Sequence, residues 1–121
     1  MDIMFKSTRG DKNYVTASQA IVQGIANDVG LFVPETIPTI DFPLEKITEM
    51  SYQELAYEVL KLILTDYTEE ELKYCINSAY DEKFDTKLIA PLVSAGNGNF
   101  LELFHGKTIA FKDMALSILP Y

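Results

Sequence analysis

The residues best suited to chemistry lie in one stretch, Phe100 to Leu119, which reads FLELFHGKTIAFKDMALSIL. It has the pattern of a strand, a short loop and the opening of a helix, with Lys112 inside the helix. Phe111, Met114, Ala115, Leu116, Ile118 and Leu119 surround the expected helix axis almost completely, and a helix that is apolar all round belongs in an interior. At three- and four-residue spacing Lys112 shares a stripe with Ala115, Leu116 and Leu119, whereas Asp113 is expected to point toward Ser117. The expectation is therefore a lysine amine in apolar surroundings. Burial disfavours the ammonium form and lowers its pKa. An amine with an available lone pair is suited to forming a Schiff base with a carbonyl compound. The competing reading is a structural lysine that snorkels to the surface from a helix end.

The other reactive side chains carry less. His105 is the single histidine, which excludes a histidine pair within the chain, and it reads as a residue that caps the strand end or orients a substrate. Cys75 sits on an apolar helix stripe and reads as core. Thr108 precedes the lysine helix, where a helix cap and an anion site are both open readings. Gly96-Asn97-Gly98-Asn99 lacks the following helix of a phosphate loop and is expected to be a hairpin turn. Glu69, Glu70 and Glu71 suit the positive end of a helix dipole, and a solvated first turn explains them better than a metal site.

These residues must be positioned by the elements around them. Ile3 to Lys6 and Asn13 to Val15 are expected as two short strands joined by a turn at Arg9, Gly10 and Asp11. Thr16 and Gln19 make a capping-box pattern ahead of Ala17, Ala20, Ile21, Gly24 and Ile25 at helical spacing. Within that helix Gly24 is expected to permit close packing, and Asn27, Asp28 and Gly30 to stop it. Leu31 to Val33 is a short extended run ended by Pro34, and residues 34–43 form an ordered, extended connector packed on the domain through Ile37, Ile40 and Phe42. Leu44 to Met50 is a short helix. Ser51 with Glu54, and Thr68 with Glu71, open two more helices, the first with its stripe from Tyr52 to Ile63 and the second with Leu72, Cys75, Ile76 and Ala79. Joined by Thr65-Asp66-Tyr67, they should form a helical hairpin. Leu88 to Val93 reads as an irregular edge strand broken by Pro91, and Phe100 to Phe104 as a strand.

Composition narrows the partners. The chain has 121 residues, one domain's worth, and 48% of them are hydrophobic, which argues against disorder. Ten basic against 18 acidic residues give a net charge of -8, unfavourable for binding nucleic acid or an anionic membrane surface. One cysteine excludes an internal disulfide and fits a reducing compartment. The N-terminus has no signal-peptide pattern and no stretch is long and apolar enough to span a bilayer, so the expected location is the cytoplasm.

ELFHGKTIAFKDMALSILP resembles the lysine segment of threonine synthases, of the form ELFHGPTxAFKD. STRG followed by ASQAIVQGIANDVGLFVPE resembles the N-terminal region of the same family. The resemblance covers roughly the whole chain, the middle helices in pattern more than in identity. Two departures stand out: Lys107 where Pro is common, expected to loosen the loop and add a charge, and Val29 where Gly is usual. The resemblance implies that Lys112 is the catalytic residue and binds pyridoxal 5'-phosphate (PLP) as a Schiff base, with no metal. It implies a fold-type II enzyme that converts O-phospho-L-homoserine and water to L-threonine and phosphate. The expected fold class is α+β. Residues 1–95 would form a small N-terminal domain with short strands and a helical hairpin. Residues 96–121 would form the first strand and helix of a truncated α/β PLP-binding domain. The cofactor's phosphate loop would lie beyond Tyr121, so a chain of this length would be inactive alone, without PLP, and is expected to self-associate through residues 100–121. The alternatives are a threonine synthase-like phospholyase and a non-catalytic helical interaction module.

Overall fold

The computed structural model describes residues 2–121. Its elements run β1 (Phe5–Ser7), α1 (Ala17–Gln23), β2 (Phe32–Pro34), a 3-10 turn (Leu44–Glu49), α2 (Tyr52–Leu60), α3 (Glu69–Ala79), β3 (Leu92–Ala95), β4 (Gly98–Leu101) and α4 (Asp113–Leu116). The mixture of short strands and helices is α+β, as expected. Two compact units are interleaved in sequence, Met1–Pro43 with Glu58–Leu72, and Leu44–Tyr57 with Lys73–Tyr121.

All three expected capping boxes form. Thr16 accepts from the Gln19 amide while the Gln19 side chain accepts from the Thr16 amide. Ser51 and Glu54 make the same reciprocal pair at α2, and Thr68 and Glu71 at α3. Each pair satisfies two of the amides that a helix start leaves without intrahelical partners. On α3 the predicted stripe is the buried one: Leu72, Cys75, Ile76 and Ala79.

In the first unit β1 pairs antiparallel with β2, Phe5 opposite Pro34 and Ser7 opposite Phe32. The segment expected to pair with β1, residues 13–15, contributes one bridge instead: Phe5 and Val15 exchange both backbone hydrogen bonds. Burial explains the choice of ladder. Phe5 and Ser7 face inward, and Phe5 joins Ala17 and Ala20 in a core to which Phe32, Val15, Ile63 and Leu64 add their side chains. Burying Phe5 contributes about 2–3 kcal/mol. Asp66 strengthens α1 by accepting from the amide and hydroxyl of Ser18. Burial acts to raise the Asp66 pKa, but the hydrogen bonds from Ser18 and Thr16 prevail and hold it below its ordinary value.

Two local expectations are corrected here. Gly24 does not sit inside a helix. It ends α1 as the C-cap with φ 76°, and a Cβ placed on it would meet nothing within 4 Å, so it supplies a left-handed turn rather than a close contact. The closely packed glycine is Gly30, where a Cβ would fall 2.0 Å from Ser7 Oγ. In the 34–43 connector Ile37 is almost fully exposed.

In the second unit Cys75, Ile76, Ala79, Tyr80, Phe84 and Ile89 are buried. The Gly96-Asn97 turn closes a two-residue hairpin between β3 and β4, with Ala95 opposite Gly98 and Leu92 opposite Leu101. Gly96 has φ 59°, the left-handed conformation that primed hairpin turns require of their first residue. The predicted 100–104 strand is thus the outgoing arm of this hairpin, shifted by two residues.

A lysine on the wall of an apolar cleft

The lysine segment is more irregular than its pattern suggests. Its helix, α4, has four residues, not nine, and Lys112 is its N-cap residue. Phe111, Leu116 and Leu119 are more than half exposed, and Lys112 itself is exposed, so the expected buried lysine is corrected to a lysine at an open surface. The Met114 carbonyl, which a continuing helix would offer to Ile118, accepts a hydrogen bond from the Tyr80 hydroxyl at 2.6 Å.

Lys112 lies on the wall of a cleft of about 630 Å³ lined by Tyr52, Leu55, Leu101, Leu103, Phe111 and Met114, among others. The lining comes from the start of α2, the end of β4 and α4, and Ala90 adds to it. Lys112 and Tyr52 supply the polar side-chain groups of an otherwise apolar wall. A planar aromatic ligand with an electrophilic carbon would find there both a hydrophobic surface and a primary amine.

Asp113 is the side chain whose role the sequence reading missed. Instead of facing Ser117 it turns back and is buried, accepting from the Thr108 amide at 2.8 Å and the Thr108 hydroxyl at 2.6 Å. Gly106 packs directly on it; a Cβ at Gly106 would come within 2.5 Å of the Asp113 side chain. Asx and Thr side chains are prone to such local backbone bonds, and the Thr108 to Asp113 spacing was the available signal. The loop between them is strained: Ile109, β-branched and exposed, has φ 67°. Such outliers persist where surrounding structure holds them, and they cluster at functional sites.

His105 anchors the other end of the loop. Its Nδ1 contacts Asp85 at 2.5 Å and its Nε2 contacts Glu102 at 2.7 Å, while its carbonyl accepts from the Asp85 amide. The hydrogen bonds to Glu102 and then Asp85 raise the imidazole's pKa above its ordinary value. This structural role agrees with the reading of His105 as a residue that ties down the strand end. Thr108 accepts weakly from the Ala110 amide, a cap-like contact.

Tyr80 lies at the junction of these parts. It is buried, packs edge-on against Tyr52 at 4.9 Å and beside Phe84, and its carbonyl accepts from the Gln53 side chain at 2.5 Å. Burial, and then the neighbouring Tyr52, push its phenol pKa up, so the hydroxyl remains a donor to Met114 at any physiological pH. The chain end is held as well. Tyr121 meets Tyr74 edge-on, centroids 6.2 Å apart, and the Lys83 amine lies over the Tyr121 ring. The tail therefore packs on Tyr74 of α3 and on Lys83.

The sequence profile described as "Threonine synthase N terminus" matches residues 4–80. The chain is 39% identical to threonine synthase of Schizosaccharomyces pombe, over 97% of its own length and 23% of the relative's. It is 35% identical to that of Saccharomyces cerevisiae over 96% of its length and 24% of the relative's, and 35% identical to human threonine synthase-like 1 over 86% and 15%. Among solved structures it superposes on yeast threonine synthase with a TM-score of 0.88 at 34% identity. The match covers 98% of this chain and 25% of that one. A PLP-bound threonine synthase from Brucella melitensis gives 0.85, also at 34% identity, covering 98% and 26%. The chain spans about a quarter of the length of the threonine synthases it matches.

Proposed function

Because the chain belongs to the threonine synthase family through that family's N-terminal region, we propose that it supplies the catalytic lysine, Lys112, of an enzyme that converts O-phospho-L-homoserine and water to L-threonine and phosphate. The observation that carries the reading is the place of Lys112: inside the AFKD segment, exposed, and on the wall of an apolar cleft.

The residues present fit one part of pyridoxal 5'-phosphate. The amine of Lys112 would hold its aldehyde carbon, and the apolar wall of Leu101, Leu103 and Phe111 would suit its ring. When bound, the cofactor supplies an electron sink for carbanions next to the substrate nitrogen. The chain's own residues do the positioning. Asp113 and Thr108 fix the loop before Lys112, His105 fixes its entry, and the cleft's apolar lining offers a surface beside the amine. Lys112, once released from the cofactor, is the group that holds and moves a proton between substrate carbons. In this reading residues 96–121 begin the cofactor-binding domain of a fold-type II enzyme, and the 121 residues by themselves neither retain PLP nor turn over.

The test is reductive trapping with borohydride in a protein of the relatives' length, with product analysis. Lys112→Ala should abolish threonine formation and cofactor trapping while the protein stays folded. Substantial residual activity would exclude Lys112 as the Schiff-base residue. The second reading is a threonine synthase-like phospholyase. Phosphate release without threonine would select it. Neither trapping nor phosphate release would point to a non-catalytic interaction module. Sedimentation of the 121-residue chain with and without the residues after Ala95 would test self-association through 100–121 against the folded-back tail.

A further inference from the structure

Four observations converge on one side chain outside the lysine segment. The Tyr80 hydroxyl donates to the Met114 carbonyl at 2.6 Å, two residues beyond Lys112. That bond engages the carbonyl that a further turn of α4 would offer to Ile118. The Tyr80 ring packs on Tyr52, which lines the cleft beside Lys112. Its carbonyl holds Gln53, so the start of α2 and the lysine turn are fastened to the same residue. A helix of four residues has too few internal hydrogen bonds to hold its own geometry, so its orientation must come from such tertiary ties.

We propose that Tyr80 is a positioning residue of the lysine site: it clamps the Met114 carbonyl and thereby sets the direction in which Lys112 leaves the backbone. The proposal rests on the reading of Lys112 as the cofactor lysine. Tyr80 touches neither substrate nor cofactor in this scheme and acts only through α4. A lysine whose backbone swings would still find an aldehyde, but would deliver protons in poor geometry, and small misplacements are costly to turnover.

The test uses Tyr80→Phe, which keeps the ring contacts with Tyr52 and Phe84 and removes only the oxygen. Without cofactor, hydrogen exchange of the Ala115, Leu116 and Ser117 amides should quicken by about tenfold, the effect of losing one buried hydrogen bond. Exchange at Ile76 and Ala79 in α3 should stay unchanged. In a protein of the relatives' length with pyridoxal phosphate bound, kcat should fall by about tenfold or more while KM stays within about twofold, a split that a general loss of folded protein would not produce. Borohydride trapping on Lys112 should persist. Unchanged exchange at 115–117, or an unchanged kcat, would overturn the role of Tyr80. Should Tyr80→Phe fail to fold, 4-aminophenylalanine in place of Tyr80, which keeps the ring and a donor at the same reach, should retain both slow exchange and kcat; loss of either would overturn the proposal. Loss of the Lys112 reading is seen separately, as trapping that survives Lys112→Ala.

Discussion

Asp113 accepts two hydrogen bonds from Thr108, at 2.8 Å from the amide and 2.6 Å from the hydroxyl, and Gly106 packs on the same side chain. The residue after Lys112 is therefore tied to the loop five residues earlier. This closes residues 106–113 into a unit that turns around one buried carboxylate. Losing an acceptor that serves two donors costs about 1–2 kcal/mol, because Thr108 is exposed and water can take up its donors. Asp113→Ala should destabilise the protein by about that much in urea unfolding. Gly106→Ala should cost about 2 kcal/mol by overpacking, because the added methyl overlaps the Asp113 side chain. In the double variant the overlaps with the Asp113 carboxylate are gone while the Cβ overlap at 2.5 Å stays, so the two costs should fall partly short of additive. Additive costs would refute the contact.

Lys107 occupies the second position of a turn closed by the Ile109 amide on the Gly106 carbonyl at 3.0 Å. Neither Lys107 nor Thr108 has positive φ, which makes this a type I turn, where proline is favoured at that position. Lys107→Pro should raise stability by about 0.5–1 kcal/mol by narrowing the unfolded ensemble. A rise in the thermal midpoint with an unchanged unfolding slope would support this, and a loss of stability would show that the Lys107 backbone does not have the proline-compatible φ of a type I turn.

What could be read in advance was local. The three capping boxes, the Gly96-Asn97 turn and the Leu72 to Ala79 stripe depend on residues three or four positions apart, and all appear as expected. The pairing of β1 with β2 spans more than twenty residues and left no local mark beyond apolar alternation. The lysine helix was misjudged for the same reason. Its apolar composition was visible, but the Tyr80 hydroxyl that bonds its Met114 carbonyl lies 34 residues away in sequence. Asp113 was misdirected because helical spacing assumes that a polar residue points outward. At a helix start, the nearest unpaired amide competes for it.

Val29 should be a better glycine. It has φ 64°, is exposed, and follows Ala26 in a turn closed by its own amide on the Ala26 carbonyl. A β-branched residue pays heavily for the left-handed region, whereas glycine enters it freely. Its exposed side chain offers little packing to lose. Val29→Gly should stabilise the protein by about 1 kcal/mol after the extra chain entropy of glycine is counted. Val29→Ala, which keeps a Cβ but not the branch, should fall between the two. A destabilised Val29→Gly in chemical denaturation would mean that the valine side chain makes contacts stronger than the strain.

The last prediction concerns pH. His105 is held between Asp85 and Glu102, both carboxylates, with the Phe104 ring stacked at 4.5 Å. Its folded pKa is raised above the unfolded value of 6.5, first by the Glu102 hydrogen bond and then by Asp85. A raised pKa means that the folded state binds the proton more tightly than the unfolded state. The stabilisation is therefore fully present below pH 6.5 and is lost as pH climbs through the folded value. His105→Gln keeps a hydrogen-bonding side chain but cannot carry the charge. Unfolding free energies of wild type and His105→Gln should differ most between the ordinary carboxylate range and pH 6.5, where His105 is protonated and its partners ionised, and converge as pH rises past the folded pKa. Carboxylates elsewhere contribute equally to both proteins and cancel in the difference. Raising salt should shrink the gap, because the pairs are partly exposed. An imidazole C–H resonance titrating at or below 6.5 in the folded protein would contradict the bridge, as would a pH-independent difference between the two proteins.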